Sequence, residues 1–304
     1  MNTALLIGII AFTLRASSPL IYAAMAGILC ERSGVVNIAL EGMMLIGAFT
    51  GLAVGATHGA PAGVMAALVS GALLGLLHAT TTQKMRVGDI VSGVAINILA
   101  LGLTSYFSRI PALSGAAGAV IGVPEWSVTL PLWIPSFGGL KVSQSPFTIG
   151  AWLCVLSVAY FLWRTPWGLR VTAAGENPAA LKAAGVNVVR VRFGAVIVGG
   201  ALAALGGAQL SLGLVHNFTE NMTAGRGYIA LAAVVFGRWR PGGAFAACLF
   251  FAFADALQSG LQVIPSIGER IPTEFMAMLP YVATLLALVF FSRQVRGPGA
   301  LNQS

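Results

Sequence analysis

The chain has 304 residues, of which 57% are hydrophobic and only 9% are charged. Soluble domains carry about a quarter of their residues as charged side chains, so this composition excludes a water-soluble fold. Its high hydrophobicity also excludes intrinsic disorder. The net charge of +8 reflects basic residues in short loops, which indicates orientation in a bilayer and not nucleic-acid binding. The sequence therefore predicts an all-α, polytopic membrane protein.

The apolar runs predict about nine membrane spans, since one crossing needs about 20 apolar residues. The predicted spans are 5–30, 35–56, 61–81, 87–107, 147–163, 193–214, 228–236, 244–260 and 275–291. The seventh is too short for a full crossing. Segment 108–145 is rich in proline and holds two tryptophans, which favours an ordered interfacial loop over a span. We expect residues 1–304 to form one transmembrane domain.

The orientation follows from the positions of lysine and arginine, which are enriched in cytoplasmic loops. Basic residues cluster at 84–86, 164–192, 238–240 and 293–296. If all four regions lie inside, nine spans require an external N-terminus and a cytoplasmic C-terminus. The most basic of them, 164–192, is then a cytoplasmic loop.

Two stretches of the chain resemble each other, 33–42 and 224–233. Each has a glycine, a short gap and the tripeptide Ile-Ala-Leu, followed by an apolar run that is short or interrupted. In the predicted topology they cross in opposite directions, which indicates an inverted repeat of the kind that carries a transport site. The alternative is chance similarity in an alanine-rich membrane protein.

Several polar residues lie inside the apolar runs. Asn37 and Glu41 are four residues apart, so on one helix they would share a face. Asn97 and Gln209 lie in mid-span, where an amide either lines a path or joins two helices by a hydrogen bond. For Glu41 two readings stay open: a functional carboxylate, or a structural one paired with a basic residue such as Arg15 or Arg32.

The loop 164–192 contains a capped helix. Asn177 followed by Pro178 is typical of an N-cap and first helical position, and Gly185 is a typical stop. A helix over 178–184 with small alanine side chains, flanked by basic residues, suggests docking onto another protein. The alternative, a helix lying on lipid headgroups, lacks the large apolar anchors that such helices use.

Sequence motifs for catalysis and for metal or nucleotide binding are missing. There is no Gly-x-x-x-x-Gly-Lys-Ser/Thr loop, no His-Glu-x-x-His motif and no placed Ser/His/Asp set. The three cysteines and three histidines are isolated. We therefore expect no catalytic residue, no metal and no cofactor in this chain.

Three ordered motifs resemble one family, the permeases of ATP-binding-cassette (ABC) importers for nucleosides, ribose-type sugars and branched-chain amino acids. They are the stretch 31–49, the loop Gly-Glu-Asn-Pro-x-Ala-x-x-x-Ala-Gly at 175–185, and Gly-Arg-Gly-Tyr-Ile-Ala-Leu-Ala-Ala-Val-Val-Phe-Gly at 225–237 followed by Arg-Pro-Gly-Gly. Ribose permeases usually carry Asp-Leu-Ser where this chain has Asn37-Ile-Ala-Leu, and often one more N-terminal span. The resemblance therefore favours nucleosides.

The resemblance implies a transport subunit of a bacterial inner membrane, not an enzyme. Its implied partners are cytoplasmic ATPase subunits, a second permease subunit and an external substrate-binding protein. The residues expected to couple to the ATPase are Glu176, Asn177, Pro178, Ala180 and Gly185.

We expect Asn37 to line the substrate path with Asn97 as a weaker companion, and Glu41 to hold the broken segment through a basic partner. The alternatives are a ribose-type or branched-chain amino acid permease and, more distantly, an ion-coupled secondary transporter. A membrane-embedded enzyme is a weaker alternative, since no catalytic set is present.

Overall fold

The computed structural model describes residues 3–110, 126–129, 141–262 and 297–302, together with positions 278 and 282. Within these ranges the chain forms ten α-helices and one pair of short strands. The helices are α1 (Thr3–Arg32), α2 (Leu40–His58), α3 (Ala60–Gln83), α4 (Asp89–Ser108), α5 (Pro146–Arg164), α6 (Pro166–Glu176), α7 (Pro178–Ala183), α8 (Val188–Ala208), α9 (Arg226–Phe236) and α10 (Pro241–Gln262).

Seven of the described helices are long and apolar enough to cross a membrane: α1 to α5, α8 with its continuation, and α10. They correspond to the first six predicted spans and the eighth, which confirms a polytopic helical bundle. The seventh predicted span is α9, whose 11 residues extend about 16 Å and cover about half of a hydrocarbon core of about 30 Å. The ninth predicted span, 275–291, lies outside the described residues.

Helices α1 and α2 form the centre of the bundle. Every residue from 17 to 31 of α1 and from 39 to 49 at the start of α2 is buried. Helices that are apolar on all sides are buried in this way. In contrast, α3 and α4 expose large apolar side chains such as Leu73 and Ile98, as expected of a surface that faces lipid or another membrane subunit.

Glycines allow α2, α3 and α8 to pack backbone against backbone. A Cβ atom on Gly207 would overlap the carbonyl oxygen of Met44, and one on Gly71 would overlap the carbonyl oxygen of Gly200. Small residues at contact faces are how membrane helices gain packing energy, because lipid supplies no hydrophobic drive for helices to associate. The many glycines of the sequence are used here as close-contact residues.

Helix α8 continues into a π-helical segment, Gln209–Val215, which ends at His216 with a left-handed backbone (φ +55°). In this segment Gln209 donates a hydrogen bond from Nε2 to the Ser18 hydroxyl of α1. Of the two readings that the sequence left open for Gln209, the structure shows the hydrogen bond between helices.

The proline-rich segment 108–145 contains two strands, β1 (Trp126–Thr129) and β2 (Lys141–Gln144). They pair antiparallel, with Trp126 opposite Gln144 and Thr129 opposite Lys141. The described part of this segment is thus an ordered connection between α4 and α5, as expected from the sequence. Residues 111–125 and 130–140 lie outside the described ranges.

Candidate functional site

The non-helical stretch before α2, residues 33–39, meets the start of α9 inside the bundle. The two glycines that open the similar stretches of sequence, Gly34 and Gly225, both have left-handed backbone, with φ of +87° and +83°. The match ends there, because α2 begins six residues after its glycine whereas α9 begins one residue after its own. The two helix starts therefore lie next to each other, but the connections from their glycines differ in length.

Glu41 joins these two helix starts. Its Oε1 accepts a hydrogen bond from the Gly225 amide (2.8 Å) and its Oε2 accepts one from the Gly227 amide (2.6 Å). The first amides of a helix have no partner within the helix, and the positive end of the helix dipole favours a carboxylate there. Glu41, on the first turn of α2, thus caps α9 across the bundle.

The partners of Glu41 differ from those expected from the sequence. They are main-chain amides and not a basic side chain. Arg32, one of the basic residues considered, instead reaches Glu176 (3.7 Å) and donates to the Trp239 carbonyl (3.0 Å). Gly227 is needed for the close approach, because a Cβ atom there would lie 2.6 Å from the Glu41 backbone.

Asn97 of α4 is hydrogen-bonded to the same two helix starts, those of α2 and α9. Its Oδ1 accepts from the Gly42 amide (2.8 Å), and its Nδ2 donates to the Ile38 carbonyl (3.0 Å) and the Tyr228 hydroxyl (2.9 Å). Asn97 is partly exposed and Tyr228 is 47% exposed. This amide–phenol pair therefore presents hydrogen-bonding groups on the surface of the bundle, beside the two helix starts.

Asn37 is fully buried. Its Nδ2 points at the sulfur atoms of Cys30 (3.3 Å) and Met43 (3.7 Å), and its Oδ1 has no hydrogen-bond partner. A buried amide oxygen without a partner is costly and calls for an explanation. The expectation that Asn37 and Glu41 share a helix face is wrong, because Asn37 lies in the non-helical stretch before Leu40.

Polar groups from three other helices hold this stretch out of a helical conformation. Asp89 accepts from the Val36 amide (2.8 Å), and His78 bonds the Val36 carbonyl through Nε2 (3.2 Å). Arg192 donates from Nε to the Ser33 carbonyl (3.1 Å). The main-chain groups of Ser33 and Val36 are thus bonded to side chains of other helices and not within a helix, and α2 starts after them, at Leu40.

A second candidate site is the loop between α5 and α8. The Asn177 Oδ1 accepts from the Ala180 amide (3.0 Å), and Pro178 occupies the first position of α7. Gly185 has φ of +79°, which ends the element as predicted from the sequence. Leu181 is buried and anchors α7, whereas Ala180 and the other residues around Leu181, 179 and 182–185, are exposed. Helix α7 therefore presents a small-residue face to its surroundings.

Comparison with known proteins identifies the type of chain. Residues 9–288 match the family described as branched-chain amino acid transport system / permease component. The chain belongs to this permease family.

Among its relatives is the guanosine ABC transporter permease protein NupQ of Bacillus subtilis, 38% identical over 96% of this chain and 94% of that protein. The nucleoside ABC transporter permease protein NupC of Lactococcus lactis is 35% identical over the same shares. The putative glucose ABC transporter permease protein TsgC13 of Haloferax volcanii is 31% identical over 98% of this chain and 97% of that protein. No solved structure matches the permease.

In the permease, two arginines, Arg32 of α1 and Arg192 of α8, join the end of α6 to the stretch before α2. Arg192 donates to the Ala174 carbonyl (3.3 Å) as well as to Ser33, and Arg32 reaches Glu176. Gly175 packs against the backbone of Arg32 so closely that a Cβ atom would overlap it. The end of α6, next to α7, is therefore in direct contact with residues 32–34.

Sequence reasoning missed five residues of this site. They are Tyr228, Asp89, His78, Arg192 and Trp239, the last of which donates from its indole to Glu31. Tyr228 lies within the third motif and Trp239 just after it, so the motif that contains Gly225 was a usable signal for both. Asp89, His78 and Arg192 lie far from that motif along the chain, and no local pattern in the sequence pointed to them.

Proposed function

We propose that the permease imports nucleosides as the membrane subunit of an ATP-driven transporter in the bacterial cytoplasmic membrane. The observation that carries the substrate class is the similarity, along nearly the whole chain, to permeases named for guanosine and for nucleosides. The partly exposed amide of Asn97 and the exposed phenol of Tyr228 suit this cargo, because a nucleoside offers hydroxyl groups and base edges to such groups.

The proposed path runs along Asn97 and Tyr228, with Asn37 behind them. The Asn37 Oδ1 has no partner in the structure, so an outward movement of residues 33–39 would let it meet water or cargo. The two helix starts that face each other at Glu41 correspond to the broken helices found at transport sites. Glu41 keeps those two starts together and does not touch cargo in this proposal.

The proposed drive comes from a separate ATPase that docks on α7. The exposed, capped helix α7 offers the surface for this docking. The residues that form or flank it are Glu176, Asn177, Pro178, Ala180 and Gly185. Arg32 and Arg192 then carry its movement to residues 33–39. The complete transporter in this proposal has two cytoplasmic ATPase subunits, a second permease subunit and an external binding protein, with the N-terminus outside and the C-terminus in the cytoplasm.

An ion-coupled transporter is less well supported by the site. Such a mechanism needs a buried carboxylate that exchanges its proton or ion during transport. Both oxygens of Glu41 are already engaged with amides of α9, and protonating one of them would break a hydrogen bond that orders the helix start.

The substrate is tested by uptake in cells that express the permease with its genetic neighbours and lack other nucleoside carriers. We expect saturable uptake of labelled guanosine that unlabelled nucleosides compete away and that leucine, ribose and glucose do not. Uptake of glucose in place of guanosine would contradict the proposal and agree with the similarity to the Haloferax protein. Guanosine uptake driven by an ion gradient in vesicles without an ATPase would contradict the ATP-driven mechanism.

Docking on α7 is tested with the matched variants Gly185→Asp and Gly185→Asn. Both residues tolerate left-handed backbone, so the pair differs mainly in charge. Ala180→Glu and Ala180→Ser form a second pair on the exposed face. We expect the charged variants to insert normally but lose the ATPase on purification, while the neutral variants keep it. If the charged variants co-purify with an ATPase of normal activity, α7 is not the docking element.

A further inference from the structure

A groove of about 490 Å³ lies between α5, α6 and α8. Its walls include Phe161 and Val198, and Leu29 of α1 lies at its base. The volume falls within the range of about 300–1,000 Å³ that is usual for ligand pockets. It is about three times that of an apolar cavity of about 150 Å³ that stays dry and accepts benzene.

The groove has the length of one bilayer leaflet. Along α8 its lining extends from Arg190 to Leu202, which is about 18 Å at 1.5 Å per residue. Half of a hydrocarbon core of about 30 Å is about 15 Å. Within the part of the chain that the structure describes, Val198 and Gly194 are exposed, so the groove is open along its side and not only at its end.

The end of the groove beside the start of α8 is basic. Arg190 is the third residue of α8 and is exposed, and its guanidinium group has no partner among the residues that the structure describes. Trp167, 60% exposed, lines the same end, and the Arg170 guanidinium lies 4.9 Å from the centre of its ring. None of the described lining residues carries a negative charge.

We propose that this groove binds one anionic phospholipid, with an acyl chain between α5 and α8 and the phosphate at Arg190. An apolar groove that opens to the bilayer interior is filled by hydrocarbon, and the unpaired arginine at headgroup depth selects a negative headgroup. A nucleoside does not suit the lining, where Ser157 is the one uncharged polar side chain. This site is separate from Asn97 and Glu41, and it does not depend on the proposed substrate.

The test uses the purified full-length permease in nanodiscs that contain equal amounts of phosphatidylglycerol and phosphatidylethanolamine. After transfer to detergent, native mass spectrometry counts the lipids that remain bound. Two variants perturb the site. Arg190→Gln removes the charge, and Gly194→Leu fills the groove from a position where a Cβ atom has no neighbour within 4 Å.

Two matched variants serve as controls. Arg164→Gln removes a charge at the same membrane surface outside the groove, and Gly102→Leu enlarges an equally open glycine on α4. We expect the wild-type permease to retain one phosphatidylglycerol. Arg190→Gln should lower its preference over phosphatidylethanolamine about fivefold, which equals about 1 kcal/mol for one basic group. Gly194→Leu should lose the bound lipid, and both controls should keep it.

Three results would overturn the proposal. One is equal retention of the two lipids by the wild-type permease. Another is an equal loss in Arg164→Gln, which would mean that the surface charge as a whole attracts the lipid. The last is an absence of retained lipid, which would mean that another part of the chain or a second subunit covers the groove.

Discussion

Removing the Glu41 carboxylate should destabilise the permease strongly. In Glu41→Ala the amides of Gly225 and Gly227 lose their acceptors inside the bundle. A buried donor left without a partner costs about 1–3 kcal/mol, so the two together cost about 2–6 kcal/mol. Since folded proteins are stable by about 5–15 kcal/mol, this loss is large enough to lower the amount of folded protein. Glu41→Gln keeps one acceptor oxygen, but its NH2 group faces the second amide donor, so it should lose at least half as much.

The assay is thermal unfolding of the purified chain in detergent with a thiol-reactive fluorescent dye. Cys30 and Cys248 are fully buried and become reactive only when the bundle opens. The control is Glu220→Gln, since Glu220 forms an exposed ion pair with Arg109 (3.4 Å) that is worth about 0–1 kcal/mol. We expect melting temperatures in the order wild type and Glu220→Gln, then Glu41→Gln, then Glu41→Ala. A Glu41→Ala protein that melts with the wild type would refute the capping role.

Three further predictions concern transport, coupling and orientation. Asn37→Ala should slow nucleoside uptake at unchanged protein level. The control Thr104→Ala removes a hydroxyl bonded within its own helix and should not slow it. Wild-type uptake by Asn37→Ala would make Asn37 a purely structural amide. Arg192→Gln loses the bonds that join Ser33 to the end of α6, so uptake per ATP hydrolysed should fall, and an unchanged ratio would exclude this route. Single cysteines at positions 217 and 187, at opposite ends of one span, should label from outside only at 217; the reverse pattern would invert the topology.

Local signals in the sequence predicted the local structure well. The apolar runs gave seven full spans and the short α9, and the Asn177-Pro178 pair with Gly185 gave the capped α7. Each of these depends on residues close together in the chain. Capping, backbone freedom and helix length act within a few residues, so a single sequence contains all the information they need.

The contacts of the candidate site could not be predicted in the same way. Glu41 and Gly225 are 184 residues apart, and Asn97 and Tyr228 are 131 apart. A carboxylate in a membrane helix suggests a charged partner, because the sequence shows side chains and not the unpaired amides of a distant helix start. Asn37 was placed on a helix for a similar reason: the groups that bond Val36 sideways come from α3 and α4.

The π-helical segment Gln209–Val215 lets the permease accept one particular change of chain length. A π-helical turn closes with an i→i+5 hydrogen bond and therefore holds more residues than an α-helical turn. Seven residues in this wider winding turn the chain about as far as six α-helical residues, each of which turns it by about 100°. Deleting one residue there and restoring an α-helix would therefore leave the chain at nearly the same angle. The exposed residues 217, 219 and 220, which precede Gly225, can absorb the small change in length that remains. The segment thus accommodates one extra residue without turning Gly225 away from Glu41.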